Sequence, residues 1–351
     1  MLASQPTPRR PLLRAAAAAL LLAALPMATP LASARVTIPQ PQPAATTSLT
    51  PNAALYYWRT WYERNNDFLN SITDKHGYKA SDPDWKPSDD LIKDLANYQG
   101  FIGGVIRASK IEPCDFGIAY EDGYMALLPH VSLMRQSARL LGCDARRAWL
   151  AGNSDEAGQR IAAIIRIARH TTSDHVAISS LVGNVLVKDA LDELTAMNKA
   201  GNLTPSVKRL IADIARPLDH DDPFGVRDSI ISERAMATSY IKRRLETDGV
   251  AVLQEMVSFA DADPAVSARV KMMSKEQALA ELPRIDQYFR EVLDAWDKPN
   301  RDELLTALGK KSTAGDYGSM GQLLLPSMTK LSDKATKSRQ TVHELLQLVT
   351  K

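Results

Sequence analysis

The chain has 351 residues, with 43 basic and 41 acidic side chains, 45% hydrophobic and 24% charged residues. Three of the basic residues and none of the acids fall in the first 34 positions, which leaves 40 bases against 41 acids beyond them. A near-neutral body without a dense basic block excludes a general pull toward nucleic acid or anionic lipid, and its apolar content excludes a disordered chain.

In chain order, the first 34 residues read as an export signal. Arg9, Arg10 and Arg14 form a positive start, residues 15–25 an apolar core, and Ala32-Ser33-Ala34 a small-residue cleavage site. The core is too short to cross about 30 Å of hydrocarbon, so the expectation is a cleaved signal with no integral membrane span left after cleavage. The residue directly after the site is Arg35 and not a cysteine, so no lipid anchor is expected there. Arg9-Arg10 loosely fits the twin-arginine pattern, but the flanking prolines favour the general secretory route. A periplasmic or extracellular location is expected. Residues 35–49, with Pro39, Pro41 and Pro43, read as an extended tether.

Ordered structure is expected over 50–351, with a subdivision at 217/218. Thr50-Pro51 predicts a capped helix over 52–71, and Ser88 or Asp89 caps a second to about Ser109, within which Gly100, Gly103 and Gly104 mark a close backbone approach or a break. Leu127, Val131, Met134, Ala138, Leu141, Ala145 and Ala148 alternate steps of four and three, a helix seam. Gly152 stops that helix, Asn153 with Glu156 resembles a capping box, and Ala157, Ile161, Ile164, Ile165 and Ala168 form the stripe of an antiparallel partner. A helix over 175–199 ends at Gly201. There Ala200-Gly201-Asn202 echoes Ala151-Gly152-Asn153, and Ile214-Ala215-Arg216 echoes Ile167-Ala168-Arg169, which points to stacked helical hairpins. A long helix over 226–247 follows, then a region over 264–311 interrupted at Pro283 and Pro299. Leu331, Ala335, Ser338, Val342, Leu345 and Val349 repeat in heptads, the pattern of a helix that docks. No alternating β-branched run is long enough for a strand, so the fold class is all-α.

Two resemblances accompany this pattern. Gly152, Ala157 and Ile161, with Ala145 and Ala148, are similar to the small-residue spacing of a tetratricopeptide helix pair, without its aromatic positions or terminal proline. Leu128-Pro129-His130-Val131, Met134-Arg135-Gln136 and Ala138-Arg139-Leu140-Leu141, then Ile167-Ala168-Arg169-His170 and Ile178-Ser179-Ser180-Leu181-Val182-Gly183, resemble exported all-helical proteins of planctomycete bacteria. That likeness covers residues 120–200 and, more faintly, Leu323 onward. It implies export and a helical fold and carries over no activity and no catalytic residues.

Chemistry is harder to find. Cys114 and Cys143 are the two cysteines, open to pairing in an oxidising compartment or to burial as separate thiols. Histidines at 76, 130, 170, 175, 220 and 343 form no zinc-hydrolase pattern, and no nucleophile elbow or thiol-redox motif is present. Asp219-His220-Asp221-Asp222 is the densest set of metal-ligand types, with helix capping by Asp221 or Asp222 the simpler reading. Asp174 between His170 and His175 could orient an imidazole, or cap the next helix. Asp115, Glu121 and Asp122 are carboxylates that a fold would have to bring together. Tyr57, Trp58, Trp61 and Tyr62 concentrate aromatic surface on the first helix, for docking against the bundle or for contact with a ligand or partner. The expectation is an exported scaffold that contacts an envelope or extracytoplasmic protein, binds no nucleic acid and uses no metal or organic cofactor. The alternatives are an envelope-polymer or carbohydrate hydrolase built on fold-assembled carboxylates, and a small-molecule binder.

Overall fold

The computed structural model describes residues 51–62, 75–260, 263–325 and 328–351. The expected signal, the tether, the Thr50 cap and the continuation of the first helix past residue 62 lie outside the described residues. Within them the fold is all-α, with fourteen helices and no strand.

Helix α1 (Ala53–Tyr62) is entered through Asn52, whose Oδ1 accepts the Ala54 N–H at 3.0 Å. The single helix expected next is two, α2 (Asp89–Asn97) and α3 (Gln99–Ala108), with the break at Tyr98, where the backbone leaves helical values (φ −106°, ψ 9°). Ser88 caps α2 by accepting from Leu91 N. Gly104 of α3 serves close approach: a Cβ there would lie 2.8 Å from Thr60 Cγ2 of α1.

Helices α4 (Pro129–Leu150) and α5 (Ser154–Thr171) form an antiparallel hairpin, and α6 (Ala177–Lys199) packs on both; α7 (Pro205–Ala215) leaves α6 to pack on α5 and on the C-terminal helix, so the second hairpin expected from the echo does not form. The turns that end α4 and α6 are nevertheless built alike. Gly152 and Gly201 take left-handed φ of 84° and 73°. Asn153 N donates to Ala148 O at 2.9 Å and Asn202 N to Met197 O at 3.0 Å, the six-to-one bond that closes a helix with glycine just past its end. The sequence echo therefore repeats one turn structure. The capping box does not form: the Asn153 side chain makes no cap bond. Glu156 is drawn instead to Arg147 (2.6 Å) and Arg160 (2.7 Å), because two guanidinium groups offer a carboxylate more than one exposed backbone N–H.

A buried ion pair ties the loop before α2 to this layer. Arg146 of α4 and Glu193 of α6 are fully buried and bidentate (2.9 and 3.0 Å), and Tyr78 donates to the same carboxylate at 2.7 Å. Arg146 Nη1 also donates to the carbonyls of Asp82, Pro83 and Trp85, which satisfies a charge that would otherwise be costly to bury. Gly142 makes room for the Tyr78 hydroxyl, which would stand 2.1 Å from a Cβ at that position.

The second half contains α8 (Val226–Thr247), α9 (Ala251–Phe259), α10 (Pro264–Lys271), α11 (Lys275–Trp296), α12 (Arg301–Ala314), α13 (Gly318–Leu324) and α14 (Met328–Thr350). Pro283 does not interrupt the chain as expected; it lies inside α11, and the breaks fall at residues 272–274, before α11, and around Pro299. A full capping box from Ser274 and Gln277 starts α11, and Ala278, Leu282, Ile285 and Phe289 carry one buried face straight past the proline. That continuous packing offsets the lost backbone bond, typically about 3 kcal/mol in an isolated helix interior.

Buried side chains fall into two apolar clusters, one from Ala53 to Phe224 and one from Val226 to Ala335. Helix α14 joins both. Leu331 and Ala335 belong to the second cluster, and Val342, Leu345 and Val349 return to the first, so every apolar seam position read from the heptads is buried. Among the described residues no helix is long and apolar enough to cross a membrane.

Candidate functional site at the junction of α5 and α6

The short 3-10 turn Thr172–Asp174 between α5 and α6 gathers a set of buried polar side chains. Asp174 is its centre. Oδ2 accepts from His130 Nε2 at 2.9 Å and from Ser179 Oγ at 2.6 Å, Oδ1 accepts from Val176 N at 3.0 Å, and the Asp174 carbonyl accepts from Tyr120 at 2.6 Å. His130 and Ser179 are fully buried and Asp174 nearly so. Local sequence explains the placement. His130 follows Pro129 at the start of α4, and Ser179 stands in the first turn of α6, one turn beyond the aspartate that precedes that helix.

The three residue types are those of a hydrolytic triad, but their order is not. In a proton relay the imidazole stands between hydroxyl and carboxylate; here the carboxylate stands between imidazole and hydroxyl. Because a carboxylate only accepts, the His130 proton is on Nε2, and Nδ1 is buried without a partner. Phe116 stacks on the His130 ring with centroids 4.2 Å apart. The arrangement can hold a negative charge and fix three chain segments; it cannot pass the Ser179 proton to His130.

A second cluster adjoins the first through Phe116. Tyr57 of α1 hydrogen-bonds His170 Nδ1 at 3.0 Å, and Glu112 Oε1 lies 3.3 Å from His170 Nε2. Burial holds the His170 pKa below the ordinary histidine value, with Glu112 opposing. Burial, then Glu112, pushes the Cys114 thiol up to about 12, so it is no thiolate nucleophile at neutral pH. Burial followed by Glu193 raises Cys143 as well.

The disulfide between Cys114 and Cys143 is not formed, and both residues are buried free thiols. Their surroundings explain it. Cys114 bonds toward Ser173 at the end of α5, close to the start of α4, whereas Cys143 lies beside Glu193 farther down α4. From His130 to Cys143 the helix rises about 20 Å.

The four aromatic candidates separate. Tyr57 and Trp61 are buried and stacked at 5.4 Å, and Trp61 Nε1 donates to Ser137 Oγ at 3.0 Å. Trp58 is half-buried against Phe116, and Tyr62 is 95% exposed. Asp222 accepts from Val226 N and Arg227 N and so caps α8, while Asp221 pairs with Arg339. Asp115, Glu121 and Asp122 are exposed, with Asp115 bonded to Gly117 N and Asp122 facing Arg243. Among the described residues no group of three or more His, Cys, Asp or Glu side chains is arranged to hold a metal ion.

Sequence reasoning singled out Asp174 but paired it with its chain neighbours. The actual partners, His130 and Ser179, come from the starts of two helices. Of the two flanking histidines expected to meet Asp174, His170 bonds Tyr57, and His175 takes a left-handed conformation (φ 51°) beside Gly225. Comparison of this chain with family models, with curated proteins and with solved structures found no match.

Proposed function

We propose that this protein is an exported helical scaffold that acts by holding an extracytoplasmic protein, and that its buried polar centre serves folding. The observation that carries the reading is the division of α1. Tyr57 and Trp61 lock the helix into the core, while Leu55, Tyr56 and Tyr62 of the same helix are 65%, 46% and 95% exposed. Aromatic side chains held outward lose little entropy on binding, which suits them to protein contacts. The Asp174 carboxylate, buried and accepting three internal hydrogen bonds, supports the same reading.

A hydrolase of envelope polymer or carbohydrate would draw on Asp174 and Glu233, which meet at the start of α6, where Glu233 Oε1 accepts from Ala177 N at 3.4 Å. Burial raises the Glu233 pKa, as a general acid requires. Its partner carboxylate is already occupied, so the scaffold reading stands first.

Site-specific photocrosslinking tests it. A photoreactive residue at Tyr62, in cells that export the protein, is expected to give one discrete adduct with an extracytoplasmic protein, and the same residue at exposed Met272 is expected to give none. Equal, diffuse labelling at both positions would contradict the proposal.

A further inference from the structure

Two buried nitrogens on one face of α5 lack an acceptor. Arg166 Nη1 and His170 Nε2 stand one helical turn apart, and neither has a hydrogen-bond partner. Arg166 forms no ion pair among the described residues. Burial, with Arg169 adding to it, holds the Arg166 pKa below the ordinary arginine value. Arg169, three residues on, reaches Glu112 at 3.4 Å, and the same Glu112 oxygen lies 3.3 Å from His170 Nε2 without hydrogen-bond alignment. Tyr57 sits among them, with Glu112 and Arg166 both acting on its hydroxyl, which hydrogen-bonds His170 on the opposite ring nitrogen.

Arg169 is thus paired with Glu112, Arg166 with no carboxylate among the described residues, and burial favours neutral His170. One positive charge is left over, together with two unused donors. An unpaired, partly buried charge is expensive, and proteins that keep one normally supply a counter-ion. Water would answer the donors but not the charge. A small oxyanion answers both, and Arg presents the planar fork that matches it. The place is open to solvent on one side, since the Glu112 side chain is 55% exposed and that of Arg169 37%.

We propose that Arg166, Arg169 and His170 form a binding site for a small oxyanion, a carboxylate or phosphate group, that accepts from Arg166 Nη1 and His170 Nε2. The site is separate from the outward face of α1 and stands or falls independently of the scaffold reading.

Thermal unfolding of the full chain near pH 7, with sodium acetate or sodium phosphate replacing sodium chloride at constant ionic strength, tests the proposal. The expected result is a saturable rise in melting temperature at millimolar anion. A response to acetate assigns a carboxylate ligand, and a response to phosphate assigns a phosphate. Arg166→Met is expected to abolish the saturable rise while keeping the helical circular dichroism. In chloride alone it should melt no lower than the parent, because the unpaired charge is gone. If that variant does not fold, Arg169→Gln, on the more exposed guanidinium, must weaken the response. Melting that follows chloride for both anions, or a response unchanged in these variants, would overturn the site.

Discussion

At the residue scale, the ionisable side chains of this protein are spent on packing. Asp189 of α6 shows the cost. Burial, with Asp192 adding to it, raises its pKa to about 6 against 3.8 for the free group, while Arg135 and Arg139 of α4 oppose the shift. A carboxyl raised on folding is neutral in both states at low pH and costs nothing there; above pH 6 it is ionised in both, and the folded state bears the cost. The contribution of Asp189 to stability should therefore fall as pH rises from about 4 to about 7. Asp189→Asn should be more stable at pH 8 by about 1–2 kcal/mol, the shift being moderated by solvent at a half-buried position, with the difference vanishing near pH 3. Urea unfolding of both proteins across that range checks the sign. The thiols give a second test. Cys114 and Cys143 are buried and their ionisation is suppressed, so a thiol reagent at pH 8 should label neither in the folded protein and both in urea.

At the element scale, the junctions α4–α5 and α6–α7 share a turn whose glycine is required by backbone geometry alone, although only the first closes a packed hairpin. Neither Gly152 nor Gly201 has a neighbour within 4 Å of a built Cβ, so substitution there meets no clash and reports only the left-handed conformation. Gly152→Ala and Gly201→Ala should each cost about 1 kcal/mol, and the valine variants about 2 kcal/mol, in chemical unfolding. Unequal costs at the two sites would show that the echo is one of sequence only. These turns were legible because the αL residue and the stripes beside it are local signals. The heptad positions of α14 were legible for the same reason. Pro283 misled, because the packing of Ile285 and Phe289 on distant helices outweighs a local penalty. The Asn153 box misled because Arg147 and Arg160, brought together by the hairpin itself, compete for Glu156. The site was the least legible part. Nothing local marks His130, Asp174 and Ser179 as partners, nor Arg166 as unpaired, since each depends on how α4, α5 and α6 lie side by side.

At the scale of the whole molecule, two apolar clusters share one C-terminal helix, so α14 should couple their unfolding. Removing residues 340–351 takes Val342, Leu345 and Val349 from the first cluster, and is expected to replace a single unfolding transition with an earlier loss of the α4–α7 layer. We infer that the polar centre between α5 and α6 is a folding node, with function carried on the surface. Catalytic groups are held at a cost to stability, so their removal commonly leaves a protein as stable or more so. A node behaves oppositely, because asparagine keeps an oxygen for Val176 N but turns a donor NH2 toward His130 Nε2 and Ser179 Oγ, where Oδ2 had accepted both. The unfolding free energy of Asp174→Asn, measured in urea near pH 7, decides between them. The account predicts a loss of about 2–4 kcal/mol at unchanged slope with denaturant; stability equal to or above that of the parent would contradict it.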